Sequence, residues 1–196
     1  MKKILILLVI FFASFFLFIK SHDSGNTASL ASVVKSAVTS ATPTPTPIPV
    51  GDPLTISIPA IGVNTNVQQV GMDAQGRMGV PTNEVDTAWY KYGYRPGEKG
   101  SAVIDGHYDT PTGAPAVFYN LDKLQVGDTI TVTDTNGRSY TFRITQVTSY
   151  PYNALPMQQI FASNDKPRLN LITCSGTWDR TTHNYLTRAV IYAELI

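Results

Sequence analysis

From Leu54 onward, short runs of β-branched and aromatic residues alternate with Gly, Asn, Asp and Pro, a rhythm that suits strands and turns and leaves no room for long helices. The runs are LTISI at 54–58, SAVIDG at 101–106, DTITVTD at 128–134 and SYTFRITQV at 139–147, with RLNLITC at 168–174 and RAVIYAEL at 188–195 closing the series. Thr135-Asn136-Gly137 between two of them is a hairpin signal. Helical signals are short. Val117, Phe118, Leu121 and Leu124 recur at helical spacing within 114–124, and 153–161 is long enough for two turns. Neither can carry a fold, so the pattern predicts an all-β closed barrel or sandwich.

The first fifty residues are of another kind. Residues 4–19 read ILILLVIFFASFFLFI between Lys2-Lys3 and Lys20. Such a run spans about 24 Å as a helix, short of a bilayer core of about 30 Å unless Lys20 snorkels. Residues 1–20 are therefore expected to be a retained signal anchor, a transmembrane helix crossing once. A cleaved signal peptide, with Thr27-Ala28-Ser29 as small residues after it, is the alternative. Under either reading Lys2 and Lys3 stay inside and the rest of the chain lies outside the membrane. Residues 21–53, ending in TPTPTPIP at 42–49, are too poor in large apolar groups to form a core. Alternating Pro favours extended polyproline II, so this stretch reads as a linker or stalk. Residues 54–196 remain as one globular domain.

Lys plus Arg exceed Asp plus Glu by only one charge, so no basic field argues for nucleic acid as a partner. The chain holds one Cys, which excludes an internal disulfide. A lone thiol outside the cell is either buried or used. Cys174 ends the apolar run LNLITC and precedes Ser175-Gly176, as if it closed a strand. A thiol of ordinary pKa, about 8.5, needs a neighbouring base or cation to act as a nucleophile. Three His exist: His22 in the linker, His183 in a polar loop, and His107, which follows a strand directly as Gly106-His107. Asp105 stands close enough in sequence to orient that imidazole, or is plain surface charge. Arg188 opens the last apolar run, and the segment between it and Cys174 can fold back as a hairpin. A guanidinium there could hold a developing oxyanion. On the residues alone, a core Cys and an ordinary exposed Arg are the plainer readings.

Taken together, 54–195 resembles a sortase, most closely class F, with class E next. The resemblance rests on LTISIPAIGV, Gly76-Arg77-Met78-Gly79-Val80-Pro81, Trp89-Tyr90, RPGEKGSAVIDGH at 95–107, VFYNLDKLQVGD at 117–128, LNLITC and the Arg188 strand, in that order. It implies an eight-stranded β-barrel, with Cys174 as nucleophile, His107 as proton-transfer partner and Arg188 as transition-state stabiliser. It implies that 148–167 shapes the substrate site, with Thr173, Leu155 and Pro156 as substrate-binding residues. No cofactor is implied, and no acidic cluster suggests a metal. The substrate would be an LPxTG-like surface-protein signal cut between Thr and Gly, and the acceptor an amine of peptidoglycan or its lipid precursor. Asp52-Pro53 lacks the following aromatic of a pilin-type lid, and no second membrane segment follows the last strand, which favours a single-pass housekeeping or accessory enzyme. Two other readings compete. An L,D-transpeptidase would set its Cys in a Ser-His-Gly-Cys-like context, which Cys174 lacks. An adhesion module on a Thr-Pro stalk would need neither the thiol nor His107.

Overall fold

The computed structural model describes residues 49–196. The expected membrane segment at 1–20, and the linker as far as residue 48, lie outside the described residues. Among those described, no helix is long and apolar enough to cross a membrane.

Eight strands form the domain: β1 (Pro53–Ile58), β2 (Val63–Val70), β3 (Thr87–Tyr90), β4 (Gly100–Gly106), β5 (Thr129–Asp134), β6 (Ser139–Pro151), β7 (Pro167–Asp179) and β8 (Asn184–Leu195). They close into a barrel in the order β1-β2-β3-β4-β7-β8-β6-β5. The β2–β3 and β4–β7 pairs are parallel and the others antiparallel. Closure leaves no unpaired strand edge, so of the barrel and sandwich that the pattern allows the barrel forms, with the eight strands that the resemblance implies.

Two apolar layers explain why some strands alternate and others do not. Ile56, Ile130, Val132, Phe142, Ile104 and Leu171 fill the barrel interior with Trp89 and Phe118. A second cluster covers the outer face of β4, β7 and β8, where Val103, Val190 and Tyr192 pack with Ile160, Leu155, Phe161 and Ile172. Strands buried on both sides read as continuous apolar runs, which is why SAVI and AVIYA show no period of two. In β5, by contrast, buried and half-buried residues alternate strictly.

The hairpin at Thr135-Asn136-Gly137 joins β5 to β6, with Gly137 at φ 76°. Burial pushes the Asp134 carboxyl up, but N–H groups of Arg138, Gly51 and Asn136 and the Tyr140 hydroxyl outweigh it and hold its pKa below the usual value. Gly51, Asp52 and Pro53 thus belong to the folded unit, since Asp52 also pairs with Arg95 at 2.7 Å.

The helix expected over 114–124 does not form beyond a 3-10 turn at Leu121–Lys123, although Phe118, Leu121 and Leu124 are buried as their spacing suggests. The N–H groups of Ala116, Val117 and Phe118 donate instead to the carbonyls of Tyr108, Glu84 and His107, and those of Tyr119, Leu121, Lys123 and Leu124 reach only three residues back, so no α-helix propagates. Over 153–161 the expected helix shrinks to one π-helical turn at Gln158–Ala162. Asn170 on β7 pins that turn to the barrel by donating to the Ile160 carbonyl at 2.6 Å.

Candidate active site

Cys174 and Arg188 are direct cross-strand partners on β7 and β8. Neither ends a strand as the sequence suggests. β7 continues to Asp179 and β8 begins at Asn184, with a bulge between Ser175 and Trp178 where Gly176 takes φ 78°. The rim arises differently, because the β4–β7 pairing stops at Asp105 and Ile172 and leaves Cys174 beyond the last rung. Along β7, Leu171 and Thr173 are buried while Ile172 and Cys174 are half-buried and line the outer groove.

The Thr173 hydroxyl donates to the Gly106 carbonyl at 2.7 Å with only 1% of the residue exposed. That bond ties the end of β4, and so His107, to the strand bearing the thiol. The Thr173 hydroxyl proton is committed to that bond, and the residue also borders the groove that Cys174 lines. His107 is half-buried and donates from Nε2 to the Pro81 carbonyl at 3.0 Å, and its Nδ1 has no hydrogen-bond partner among the described residues. Cys174 and His107 are not hydrogen-bonded to each other among the described residues.

Arg188 is held by acceptors of no net charge. Its Nη1 donates to the carbonyls of Tyr185 at 3.1 Å and Thr187 at 2.9 Å, and its Nη2 donates to Asn184 Oδ1 at 2.8 Å. No carboxylate lies within ion-pair distance of it among the described residues, so neutral acceptors alone hold the guanidinium in place near the thiol.

Both residues open into a groove of about 730 Å³. Met78, Val80, Leu155, Phe161 and Ile172 supply apolar lining. Pro156 is not part of the lining; its carbonyl accepts the Ile160 N–H and opens the turn that presents Leu155 and Phe161.

Asp105 enters the same groove. Desolvation raises its pKa to about 7, against the Gly106 N–H and the Arg188 charge, which lower it. Burial also raises the Cys174 pKa; Arg188 lowers it, while Asp105 and Asp109 raise it further. Asp105 is therefore a half-buried carboxyl whose ionisation opposes formation of the thiolate. Its folded-state pKa lies above the unfolded value, so the stability it confers is present below about pH 4 and is lost as pH rises through about 7. Asp105→Asn is expected to stabilise the domain by on the order of 1–2 kcal/mol at pH 8, after discounting for solvent in the groove, and by little at pH 4. Denaturant unfolding at the two pH values checks this. In the same variant, alkylation of Cys174 by iodoacetamide is expected to run severalfold faster at pH 8.

Residues 56–196 match a family model described as Sortase domain. The chain belongs to the sortase family. That family comprises cysteine transpeptidases, and the chain's one Cys lies in the groove just described. Among solved structures, the sortase D5 transpeptidase of Clostridium perfringens is 25% identical over 76% of this chain and 82% of its own, with a TM-score of 0.55. Sortase C1 of Streptococcus agalactiae is 21% identical over 73% of this chain and 66% of its own, with a TM-score of 0.57. This chain thus spans about two thirds of that one. Sortase C-1 of Actinomyces oris, 21% identical over 74% of this chain and 75% of its own, gives 0.58 and likewise supports the barrel. No curated protein matches.

Sequence reasoning passes over several parts of this sortase site. Asn184 carries no motif, and only the register shows that it anchors Arg188. Asp105 is visible in sequence, but the groove it faces is made by distant loops. Asp73 is also structural, since it accepts N–H bonds from Gln75 and Arg77 and fixes the turn that presents Met78 and Val80.

Proposed function

We propose that this sortase cuts an LPxTG-like sorting signal between Thr and Gly and transfers the Thr acyl group to an amine of peptidoglycan or its lipid precursor. The pairing of Cys174 with Arg188 across β7 and β8, in one groove, carries the reading. The Cys174 thiolate attacks the Thr carbonyl carbon, whose oxygen becomes an oxyanion facing the Arg188 guanidinium. The C–N bond then breaks, His107 protonates the departing Gly amine, and the acyl group remains as a thioester on Cys174. An incoming amine reverses the sequence and gives its proton to His107. Leu155 contributes to the apolar wall that receives the signal, Pro156 sets the turn behind it, and Thr173 positions the two strands.

By resemblance of its motifs this is a class F enzyme, class E being the nearer alternative. In that setting 1–20 anchors the protein in the cell membrane, the chain from 21 up to Gly51 serves as stalk, and the catalytic domain works outside. No cofactor is required.

The test is mass spectrometry of the soluble domain, residues 49–196, with Leu-Pro-x-Thr-Gly and Leu-Ala-x-Thr-Gly peptides. Cleavage after Thr with a Thr-acyl adduct on Cys174, both absent in Cys174→Ala, is the expected outcome, and the better peptide separates class F from class E. A folded wild type that yields neither product nor adduct with either peptide would move the adhesion reading ahead.

A further inference from the structure

A histidine that passes protons at one ring nitrogen depends on what the other nitrogen bonds, because that bond fixes the tautomer and aims the ring. No carboxylate does this for His107 among the described residues, where its one hydrogen bond runs from Nε2 to the Pro81 carbonyl at 3.0 Å. Asp109, two residues on, accepts the Tyr185 hydroxyl instead. A carbonyl oxygen only accepts, so the proton of the neutral ring sits on Nε2, and Nδ1 is the nitrogen left to take another.

A backbone carbonyl can aim a ring only if its own peptide is held, and Pro81 opens a segment, 81–86, that is neither helix nor strand. The hold comes from the half-buried Gln68 on β2. Its Oε1 accepts the Thr82 N–H at 3.0 Å and the Thr82 hydroxyl at 3.1 Å, while its Nε2 donates to Asp86 Oδ2 at 3.0 Å. An N–H only donates and a carboxylate only accepts, so these partners fix which way the amide points. The Thr82 N–H and the Pro81 carbonyl belong to one planar peptide unit. Gln68 therefore grips the same plane that His107 bonds, from its opposite edge, and polarises it so that the carbonyl accepts more strongly. Asn83 braces the far end, donating from Nδ2 to Asp86 Oδ2 at 2.8 Å and accepting the Asp86 N–H at Oδ1, also at 2.8 Å. The groove lining just upstream has ties of its own. There the Gly79 N–H donates to the Gly71 carbonyl at 2.9 Å, and Gln68 takes no part in the lining.

We infer that Gln68 is a positioning residue for His107: by gripping the Pro81–Thr82 peptide it aims the imidazole and keeps the ring proton on Nε2, so that proton transfer runs through Nδ1. For the use made of that nitrogen the inference rests on the transpeptidase reading above. In acylation the Nδ1–H of the imidazolium gives its proton to the departing Gly amine as the C–N bond breaks, and the Nε2–H stays on Pro81. In transfer the amine lone pair forms the new C–N bond, the C–S bond breaks with its electrons returning to Sγ, and the amine proton passes to Nδ1. Gln68 itself meets no reacting atom.

Nitrogen-15 NMR reads the ring directly. The full-length chain, labelled at histidine and held in a neutral detergent, is measured at a pH high enough to keep the imidazoles neutral, and His107 is assigned by comparison with His107→Gln. Wild type is expected to give the Nε2–H tautomer together with an Hε2 resonance, which exchange with water erases in an unbonded ring. Gln68→Met has similar length and makes no such bonds. It should lose the Hε2 resonance, mix the tautomers, and lower kcat for the sorting peptide roughly tenfold with KM little changed. Gln68→Glu combined with Asp86→Asn keeps an acceptor for the Thr82 N–H and reverses donor and acceptor at position 86, so it should restore both readouts. An Nδ1–H tautomer or a mixture in wild type overturns the inference, and because that reading needs no variant, a misfolded one cannot hide it. Gln68→Met that keeps the Hε2 resonance overturns it as well, whatever happens to kcat, since a slower enzyme with an unchanged ring has only been loosened. If wild type cleaves no sorting peptide, the transpeptidase reading falls, while the ring signals of wild type and Gln68→Met still decide whether Gln68 positions His107.

Discussion

Replacing Arg188 with Ala is expected to lower kcat/KM for the sorting peptide by roughly two to three orders of magnitude, the loss found when one preorganised oxyanion donor is removed. The side chain does not buttress the core. It is half-buried at the rim, and its bonds run to Tyr185 O, Thr187 O and Asn184 Oδ1, all close in sequence on β8 or at its start. The domain should therefore unfold at nearly the same denaturant concentration. Those bonds matter because they hold the cation before substrate arrives, so no reorganisation is needed as charge develops. Arg188→Lys keeps the charge but loses the planar fork that two carbonyls and an amide hold, and should recover only part of the rate. A second readout separates this role from a merely electrostatic one. Arg188 lowers the Cys174 pKa, so Arg188→Ala should also slow alkylation of the thiol by iodoacetamide at neutral pH, whereas Arg188→Lys should largely restore it. If Ala at 188 leaves peptide cleavage within a few-fold of wild type, the oxyanion role fails.

What was legible in the sequence follows from which layer covers each residue. β1, β4, β5, β7 and β8 announce themselves because their side chains meet apolar neighbours on one or both faces. β2 hides behind VNTNVQQV, since Thr65, Asn66 and Gln68 spend their side chains on Asp86 and only Val63 and Val67 reach the interior. Cys174 and His107 stand out through their neighbours in sequence. The pairing of Cys174 with Arg188 does not, because spacing permits a hairpin but only the register, bulge included, puts the two side by side. Asp105 shows the limit most clearly. Alternation along β4 says that it points away from Ile104, yet the low dielectric that raises its pKa comes from the loops over the groove, and no local pattern encodes their position. The segment at 114–124 fails for the opposite reason: its buried residues are correctly spaced, but the N–H groups of Ala116, Val117 and Phe118 go to Tyr108, Glu84 and His107, and only i→i−3 bonds follow them.

Gly106→Ala is expected to cost about 1–3 kcal/mol of stability and, in addition, tenfold to a hundredfold in peptide cleavage. Backbone freedom is not the reason, since Gly106 is not among the glycines of positive φ. Space is. A Cβ at this position would lie 2.5 Å from Phe118 Cδ2 and 2.9 Å from Val117 Cγ1. The Phe118 ring cannot swing aside, because it is fully buried in the barrel and its own N–H donates to the His107 carbonyl at 2.9 Å. The strain must therefore move the end of β4, which carries His107 on one side and accepts the Thr173 hydroxyl on the other. Both the imidazole and its tie to the thiol strand shift together. Phe118→Leu in the Gly106→Ala background supplies the missing room, so the double variant should regain stability relative to the sum of the single changes, and some activity with it. Denaturant unfolding of the four proteins, together with the rate of thioester formation on Cys174, measures both effects. Strict additivity would mean that the ring and the glycine do not act on one another, and that the Gly-His pair is held in place by something other than this contact.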